Sequence, residues 1–140
     1  MSTIFVKILH PKAIIPTRAT SGSAGFDLHA YEDCEIPPQG VRKIRTGISI
    51  EIPKGYFGKI FDRSSLAIQQ IITLGGIIDN DYRGELIVIL NNLSKKSFSV
   101  KKFDKVAQLI CIPFIENDIR ETCKLSVSDC RVNGFGSSGK

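Results

Sequence analysis

Residues 75–86 read GGIIDNDYRGEL, an acidic turn between two apolar runs. The isoleucines before the turn and the run LIVIL after it predict the two strands of a hairpin, with the Asn-Asp pair 80–81 at its tip. Asp79 and Tyr82 then lie side by side at the mouth of that hairpin. A carboxylate beside an aromatic ring fits either a solvent-facing turn or a ligand site, and the rest of the chain distinguishes them.

Short strand patterns dominate the remaining sequence. Residues 46–53 alternate strictly between apolar and polar side chains, and residues 106–115 form a longer apolar strand. Proline and glycine at residues 37–40 mark a turn. A single short helix is predicted near residues 64–70, with Ser64 as its N-cap. This pattern predicts an all-β fold, a jelly-roll-like β-barrel or sandwich.

Length and composition indicate one globular domain. A chain of 140 residues buries roughly 68% of its unfolded surface without a metal or disulfide staple. No apolar run approaches the length that crosses a membrane, and the N-terminus lacks the apolar core of a signal peptide. The four cysteines form no C-x-x-C pair, which argues against a zinc site. We therefore expect a cytoplasmic or nuclear protein that has no membrane partner.

The net charge of +5 raises the question of a nucleic-acid partner. The densest basic segment, KKSFSVKK at residues 95–102, alternates in a way that predicts a hairpin strand with a solvated lysine face. The same charge equally suits the attraction of a small polyanion such as a nucleoside triphosphate. We expect no nucleic-acid partner.

Two internal segments carry polar groups suited to phosphate chemistry. In AGFDLHA, residues 24–30, the carboxylate of Asp27 follows a permissive glycine and suits a magnesium ion held through water. In DRSSLA, residues 62–67, a guanidinium and two hydroxyls precede the predicted helix and suit phosphate oxygens. A surface aspartate and a simple capping motif are the structural alternatives. Gln108, in an apolar strand, needs a backbone or ligand partner for its amide.

The C-terminal segment GFGSSGK, residues 134–140, matches the spacing of a phosphate-binding P-loop. A P-loop needs a helix after its lysine, and the sequence offers none there, so we do not expect a P-loop at these residues. Two alternatives remain for these residues. They form either a terminus without a role or a flexible arm that closes over a ligand, with Phe135 on a base and backbone amides on phosphate.

Together these segments resemble the trimeric deoxyuridine triphosphate nucleotidohydrolases, the dUTPases. Five short motifs of that family occur in the same order, and the resemblance covers almost the whole chain. The third and fifth motifs are the most specific. The matching segments are residues 24–30, 63–67, 76–84, 104–110 and 131–139.

The resemblance implies a homotrimer with three active sites, each built from all three subunits. It implies hydrolysis of dUTP to dUMP and pyrophosphate, which keeps uracil out of DNA and supplies dUMP for thymidylate synthesis. Residues 1–130 would form the β domain. Residues 131–140 would form a flexible arm that closes over a neighbouring active site.

The resemblance also implies roles for individual residues. Asp79 would be the general base that activates water for attack on the α-phosphorus. Tyr82 would pack under the deoxyribose, backbone groups near Gly76 would read the uracil edge, and Asp27 would hold Mg²⁺ through water. The remaining residues would bind substrate, from the β domain or from another subunit's arm: Arg63, Ser64, Ser65, Gln108, Arg131, Phe135, Gly136, Ser137 and Ser138.

The sequence departs from the family pattern at a few positions. Asp62 stands where a proline is usual and puts a negative charge near the phosphates, Phe103 and Lys105 replace a glycine and an arginine, and the fifth motif is one residue short. Two alternative functions stay open. One is deoxycytidine triphosphate deamination on the same fold, and the other is a binding module that has lost catalysis.

Overall fold

The computed structural model describes residues 2–127, and within that range the chain forms eleven strands and one short helix. No helix in this part of the chain has the length and apolar character needed to cross a membrane. The elements are β1 (Phe5–Ile8), β2 (Phe26–His29), β3 (Cys34–Ile36), β4 (Val41–Arg45), β5 (Ile48–Glu51), β6 (Tyr56–Phe61), α1 (Ser64–Ala67), β7 (Ile71–Leu74), β8 (Ile77–Ile78), β9 (Ile87–Asn92), β10 (Phe98–Val100) and β11 (Lys105–Pro113).

The strands form four antiparallel sheets that share one core. The sheet orders are β1-β5, β3-β10, β2-β11-β6-β8 and β4-β9-β7. Each sheet contributes buried aliphatic side chains to a single cluster, for example Ile50, Ile36, Leu109 and Val88. Sheets that enclose a common apolar core are the arrangement that buries one face of every strand. The predicted all-β, jelly-roll-like fold is confirmed.

The sequence correctly predicts turns and strands that depend on contacts between nearby residues. The turn at residues 37–40 closes with a hydrogen bond from the Gly40 N–H to the Pro37 carbonyl, 2.9 Å long. The basic segment contains β10, whose Val100 is buried while the flanking lysines are exposed. The alternation of apolar and polar residues at 46–53 does not match the burial of these residues, because Ser49 is buried along with its apolar neighbours.

The helix is shorter than predicted and is capped differently. It covers Ser64–Ala67 rather than residues 64–70, and a turn ends at Gln70, whose φ is 63°. The N-cap is Arg63, which has extended backbone angles and no side-chain capping bond. Ser64 already has helical geometry, so its hydroxyl is not at the capping position. The prediction of Ser64 as N-cap is therefore wrong.

The predicted hairpin also needs correction, since its two strands lie in different sheets. β8 pairs with β6, whereas β9 pairs with β4 and β7. The true neighbours β7 and β9 are joined by residues 75–86, which we call the acidic loop. Gly75 and Gly76 have φ values of 63° and 88°, and this left-handed backbone turns the chain away from β7 towards β6.

Candidate functional site

A polar cleft brings together five of the residues predicted to bind substrate or metal. Its volume is about 290 Å³. The five share polar or charged side chains that come from three separate segments of the sequence: Asp27, Arg63, Ser64, Ser65 and Gln108. The structure therefore brings these three segments together, and their roles towards phosphate or a metal stay a prediction.

Strand pairing explains why these segments meet. In the sheet, Gln108 of β11 lies opposite Asp27 of β2 on one side and opposite Phe61, the last residue of β6, on the other. The chain then passes directly from β6 to Arg63 at the start of α1. Gly25 leaves room for the Gln108 side chain, because a Cβ at Gly25 would overlap its amide. The polar cleft thus forms because the pairing of β11 with β2 and β6 brings these residues together.

Hydrogen bonds within the protein fix two of the cleft residues. The Gln108 Nε2 donates to the Asp62 carbonyl at 2.8 Å, so its predicted need for a partner is met by the backbone. An Arg63 Nη1 donates to the Lys105 carbonyl at 2.9 Å, which holds the guanidinium at the cleft wall. An arginine has five donors, so the remaining ones stay available to an anion.

The carboxylate of Asp62 is directed away from the cleft. Its Oδ1 accepts hydrogen bonds from the Thr73 backbone N–H at 2.5 Å and from the Thr73 hydroxyl at 2.7 Å. Asp62 does not line the cleft. The expectation that Asp62 places a negative charge at the phosphate site is therefore corrected, because β7 takes up this carboxylate.

Asp27, which lines the polar cleft, forms an ion pair with Lys105. The Lys105 Nζ lies 2.7 Å from an Asp27 Oδ2, and only 16% of the Asp27 side chain is exposed. Next to it, burial lowers the pKa of His29, while the Asp27 charge opposes that shift. The His29 Nδ1 is buried without a hydrogen-bond partner among residues 2–127. Asp27 is therefore a largely buried carboxylate that lines the cleft and already has a cationic partner.

The acidic loop is held by a tight turn that carries Asp79 and Tyr82. The Tyr82 N–H donates to the Asp79 carbonyl at 3.1 Å, and Asn80 and Asp81 occupy the turn, as predicted. The Asp79 side chain is exposed. Both predicted residues thus lie on one turn and face solvent, although that turn does not join paired strands.

The Tyr82 ring is restrained by its own loop. Its hydroxyl donates to the Glu85 carbonyl at 2.8 Å, and 42% of the residue is exposed. The ring lies over Gly84, where an added Cβ would overlap it. The loop entrance is fixed as well, because the Gly76 carbonyl accepts the Ile60 N–H at 2.8 Å. The Tyr82 ring is therefore fixed by contacts within its own loop and stays partly exposed.

Asp79 lines a second cleft that is separate from the polar cleft. This acidic cleft has a volume of about 520 Å³ and is lined by Phe57, Ile77, Asp79, Asn80, Asp81 and Phe114. None of these residues lines the polar cleft. Among the described residues of one chain, Asp79 therefore lies at a different site from the residues predicted to bind phosphate.

Some residues of the site were missed from the sequence, and others are not described by the structure. Ala19 and Ser23 also line the polar cleft, and the small residues directly before Gly25 were the available signal. The predicted residues of the fifth motif lie outside the described residues: Arg131, Phe135, Gly136, Ser137 and Ser138.

Comparison with known proteins agrees with this geometry. The dUTPase family model matches residues 11–139. A deoxyuridine 5′-triphosphate nucleotidohydrolase of Paramecium bursaria Chlorella virus 1 is 41% identical over 140 residues, 99% of each chain. One from Nautilia profundicola is 42% identical over 138 residues, 96% of this chain and 97% of its own. A dUTPase mutant of Staphylococcus bacteriophage 80alpha with dUpNHpp is 26% identical, has a TM-score of 0.92 and covers 99% of both chains. The fold, the residues that line the two clefts and these similarities together show that the chain belongs to the dUTPase family.

Proposed function

We propose that this protein hydrolyses dUTP to dUMP and pyrophosphate in an active site shared between subunits of a homotrimer. The observation that carries the proposal is the polar cleft, because three separate segments supply it with the residue types that bind a triphosphate. The dUTPase relatives, and the phage enzyme that binds the dUTP analogue dUpNHpp, support dUTP as the substrate.

The polar cleft would bind the phosphate chain. The free N–H groups of Arg63 and the hydroxyls of Ser64 and Ser65 face the same space, where they supply one positive charge and several donors. Donors that are already ordered cost little reorganisation as charge builds up on phosphate oxygens. The hydrogen bond of Gln108 to Asp62 keeps its amide at the wall of this cleft.

The acidic loop would bind the nucleoside and supply the base. Asp79 accepts a proton from a water molecule as the water oxygen bonds to the α-phosphorus. The bond from that phosphorus to the bridging oxygen then breaks, and pyrophosphate leaves. The Tyr82 ring packs under the deoxyribose and leaves no room for a 2′-hydroxyl. Backbone groups near Gly76 bond to the uracil edge, where a wrong base leaves polar groups unpaired.

The separation of the two clefts supports a shared site. A reaction at the α-phosphorus needs the base and the phosphate donors around one substrate. Since Asp79 and Arg63 line different clefts of one chain, the acidic loop of one subunit would face the polar cleft of another. A homotrimer would then contain three equal sites. The mass of the assembly in solution, measured by analytical ultracentrifugation, tests this arrangement.

Magnesium fits the polar cleft as a substrate-bound ion. Residues 2–127 contain no group of three acidic, histidine or cysteine side chains arranged to hold a metal. Mg²⁺ commonly keeps several waters and binds through one or two carboxylates and substrate phosphates, and Asp27 would be such a carboxylate. The ion would supply positive charge to the triphosphate oxygens. Lys105, now paired with Asp27, would have to share or yield that carboxylate.

Replacing Asp27 by asparagine is expected to raise the Mg²⁺ concentration that gives half of the maximal rate. The amide keeps the shape of the side chain but loses the charge that attracts the hydrated ion. Steady-state rates over a Mg²⁺ titration measure this shift, and binding of dUMP, which lacks the β- and γ-phosphates, serves as the control. An unchanged Mg²⁺ requirement would contradict the role of Asp27.

Removing residues 131–140 is expected to lower kcat/KM for dUTP by about 10²-fold or more, the loss typical of deleted transition-state donors. Arg131, Ser137 and Ser138 would supply such donors to the phosphates of a neighbouring subunit, and Phe135 would cover the uracil. The thermal midpoint and the trimer mass should stay unchanged, because residues 28–109 supply the buried side chains of the described core. Loss of the folded trimer would show that the segment is structural.

The first experiment is a substrate screen with Mg²⁺ and dUTP, UTP, dCTP or dTTP. Pyrophosphate released from dUTP alone supports the proposal. Ammonia released from dCTP would favour the deaminase, and tight dUTP binding without turnover would favour a binding module.

The proposed roles in the cell are removal of dUTP before uracil enters DNA and supply of dUMP for thymidylate synthesis. A cytoplasmic or nuclear location stays a prediction.

A further inference from the structure

The carboxylate of Glu85 anchors the end of the acidic loop to the end of β4 and to the bend that precedes β5. The Arg45 Nε donates to its Oε2 at 3.1 Å, and the Gly47 backbone N–H donates to its Oε1 at 2.9 Å. Only 20% of the Glu85 side chain is exposed. A carboxylate that accepts from both a guanidinium and a backbone amide forms strong, directional hydrogen bonds. Glu85 is therefore fixed more firmly than a surface glutamate.

Arg45 is held on its other side by an aromatic pair. Its Nη2 lies 2.5 Å from the His10 Nε2, and the guanidinium carbon lies 6.0 Å from the centre of the Tyr31 ring. The His10 and Tyr31 rings stack with their centres 5.2 Å apart. Since an arginine only donates, the His10 Nε2 accepts this hydrogen bond. The guanidinium thus has little freedom to follow Glu85 if the loop moves.

The backbone of Glu85 connects this anchor to the Tyr82 ring. Its carbonyl accepts the Tyr82 hydroxyl at 2.8 Å. The next residue, Leu86, is buried, and its N–H donates to the Ile48 carbonyl at 2.8 Å. The Glu85 carbonyl is therefore fixed from both sides, by its own side chain and by the following peptide. The position of the Tyr82 hydroxyl follows from that of Glu85.

We infer that Glu85 is a positioning residue whose ion pair with Arg45 holds the Tyr82 ring in place and thereby strengthens the discrimination between deoxyribose and ribose. This inference rests on the proposed function, in which Tyr82 contacts the sugar. A ring that is free to tilt leaves space for a 2′-hydroxyl. A displacement of about 1 Å from the productive geometry is enough to change rates strongly.

The test compares Glu85→Ala and Glu85→Gln with the wild type on dUTP and UTP. We expect Glu85→Ala to lower the ratio of kcat/KM for dUTP to that for UTP by about tenfold, which corresponds to about 1.4 kcal/mol. Glu85→Gln should lower the ratio less, because its amide oxygen still accepts the Gly47 N–H. A purely structural role would lower the thermal midpoint and leave the ratio unchanged.

A double-mutant cycle identifies the path of the effect. Tyr82→Phe removes the hydroxyl that contacts the Glu85 carbonyl and keeps the ring. If Glu85 acts through this hydroxyl, the changes in the ratio caused by Glu85→Gln and Tyr82→Phe are not additive. Additive changes would show that Glu85 acts independently of the ring and would overturn the inference.

Glu32→Gln is the matched control. Glu32 also faces Arg45, but at 3.9 Å and with 52% of its side chain exposed, and this distance is too long for a hydrogen bond. The variant should keep the wild-type ratio, and an equal loss there would overturn the inference. If the wild type does not hydrolyse dUTP, the proposed function fails. The affinity ratio for dUMP and UMP then replaces the rate ratio, and an unchanged ratio in Glu85→Gln overturns the inference separately.

Discussion

Asp79→Asn is expected to lower kcat for dUTP by about 10²- to 10⁴-fold, the range that a positioned general base contributes. The amide has nearly the shape of the carboxylate but accepts a proton far more weakly, so the attacking water stays unactivated. The turn should persist, because the Tyr82 N–H bonds to the backbone carbonyl of residue 79 rather than to its side chain. Pyrophosphate release gives kcat, and calorimetry with dUpNHpp tests whether binding is kept.

Asp81→Asn is the matched control for that prediction. Asp81 occupies the same turn, is exposed and loses the same charge on substitution, but no proton transfer is assigned to it. We expect its kcat to stay close to that of the wild type. Equal losses in both variants would point to a general effect of negative charge near the triphosphate. Near-normal turnover in Asp79→Asn would mean that Asp79 is not the base.

The parts of the fold that the sequence predicts correctly are those that depend on nearby residues. The turn at residues 37–40 follows from proline and glycine chemistry, and the turn at Asn80 follows from the preferences of short polar residues. β11 follows from a long apolar run. Each of these signals is contained in a window of a few residues, so no knowledge of distant partners is needed.

Strand partners are not contained in such windows. β8 has only two residues, which is too short for any periodic pattern, and its partner β6 lies about 20 residues earlier in the sequence. The sequence of the acidic loop therefore cannot be distinguished from that of a simple hairpin. Pairing across sheets is decided by which edge is free when the core closes, and this is a property of the whole chain.

The departures from the family pattern also have structural consequences that the sequence alone does not predict. Phe103 replaces a glycine, and its φ of 73° shows that the turn still requires the left-handed backbone that glycine adopts freely. Asp62 replaces a proline, and Thr73 takes up its carboxylate. Both substitutions are visible in the sequence. Their consequences depend on backbone geometry and on a contact with β7 that the sequence alone does not specify.

The candidate site could be predicted as a set of residues but not as an arrangement. Motif order named Asp27, Arg63 and Gln108, and the structure places all three in the polar cleft. The cleft arises because β11 lies between β2 and β6, which no single motif encodes. The sequence does not single out Glu85, because its contacts are hydrogen bonds with Arg45 and Gly47, about 40 residues earlier in the sequence.

Gly76→Ala is expected to reduce both stability and turnover. Gly76 has a φ of 88°, and a Cβ there would lie 2.9 Å from the Ile60 carbonyl oxygen, a backbone atom that has little room to move. A non-glycine residue in a sparsely populated region costs about 1–3 kcal/mol, and the overlap adds to this cost. Relief of the overlap would shift the start of the acidic loop. A shift of about 1 Å at Asp79, the proposed base, would lower kcat by about 10²-fold.

Gly75→Ala separates the cost of the left-handed backbone from the cost of the overlap with Ile60, because it changes the neighbouring glycine in the same way. Gly75 also has a positive φ, 63°, but a Cβ there meets no atom within 4 Å. Its substitution should therefore show only the cost of the left-handed backbone, with kcat close to that of the wild type. Urea unfolding and pyrophosphate release on both variants measure the difference. Equal losses would mean that the close approach of Gly76 to β6 does not hold the loop, whereas a larger loss in Gly76→Ala would show that this contact fixes the position of Asp79.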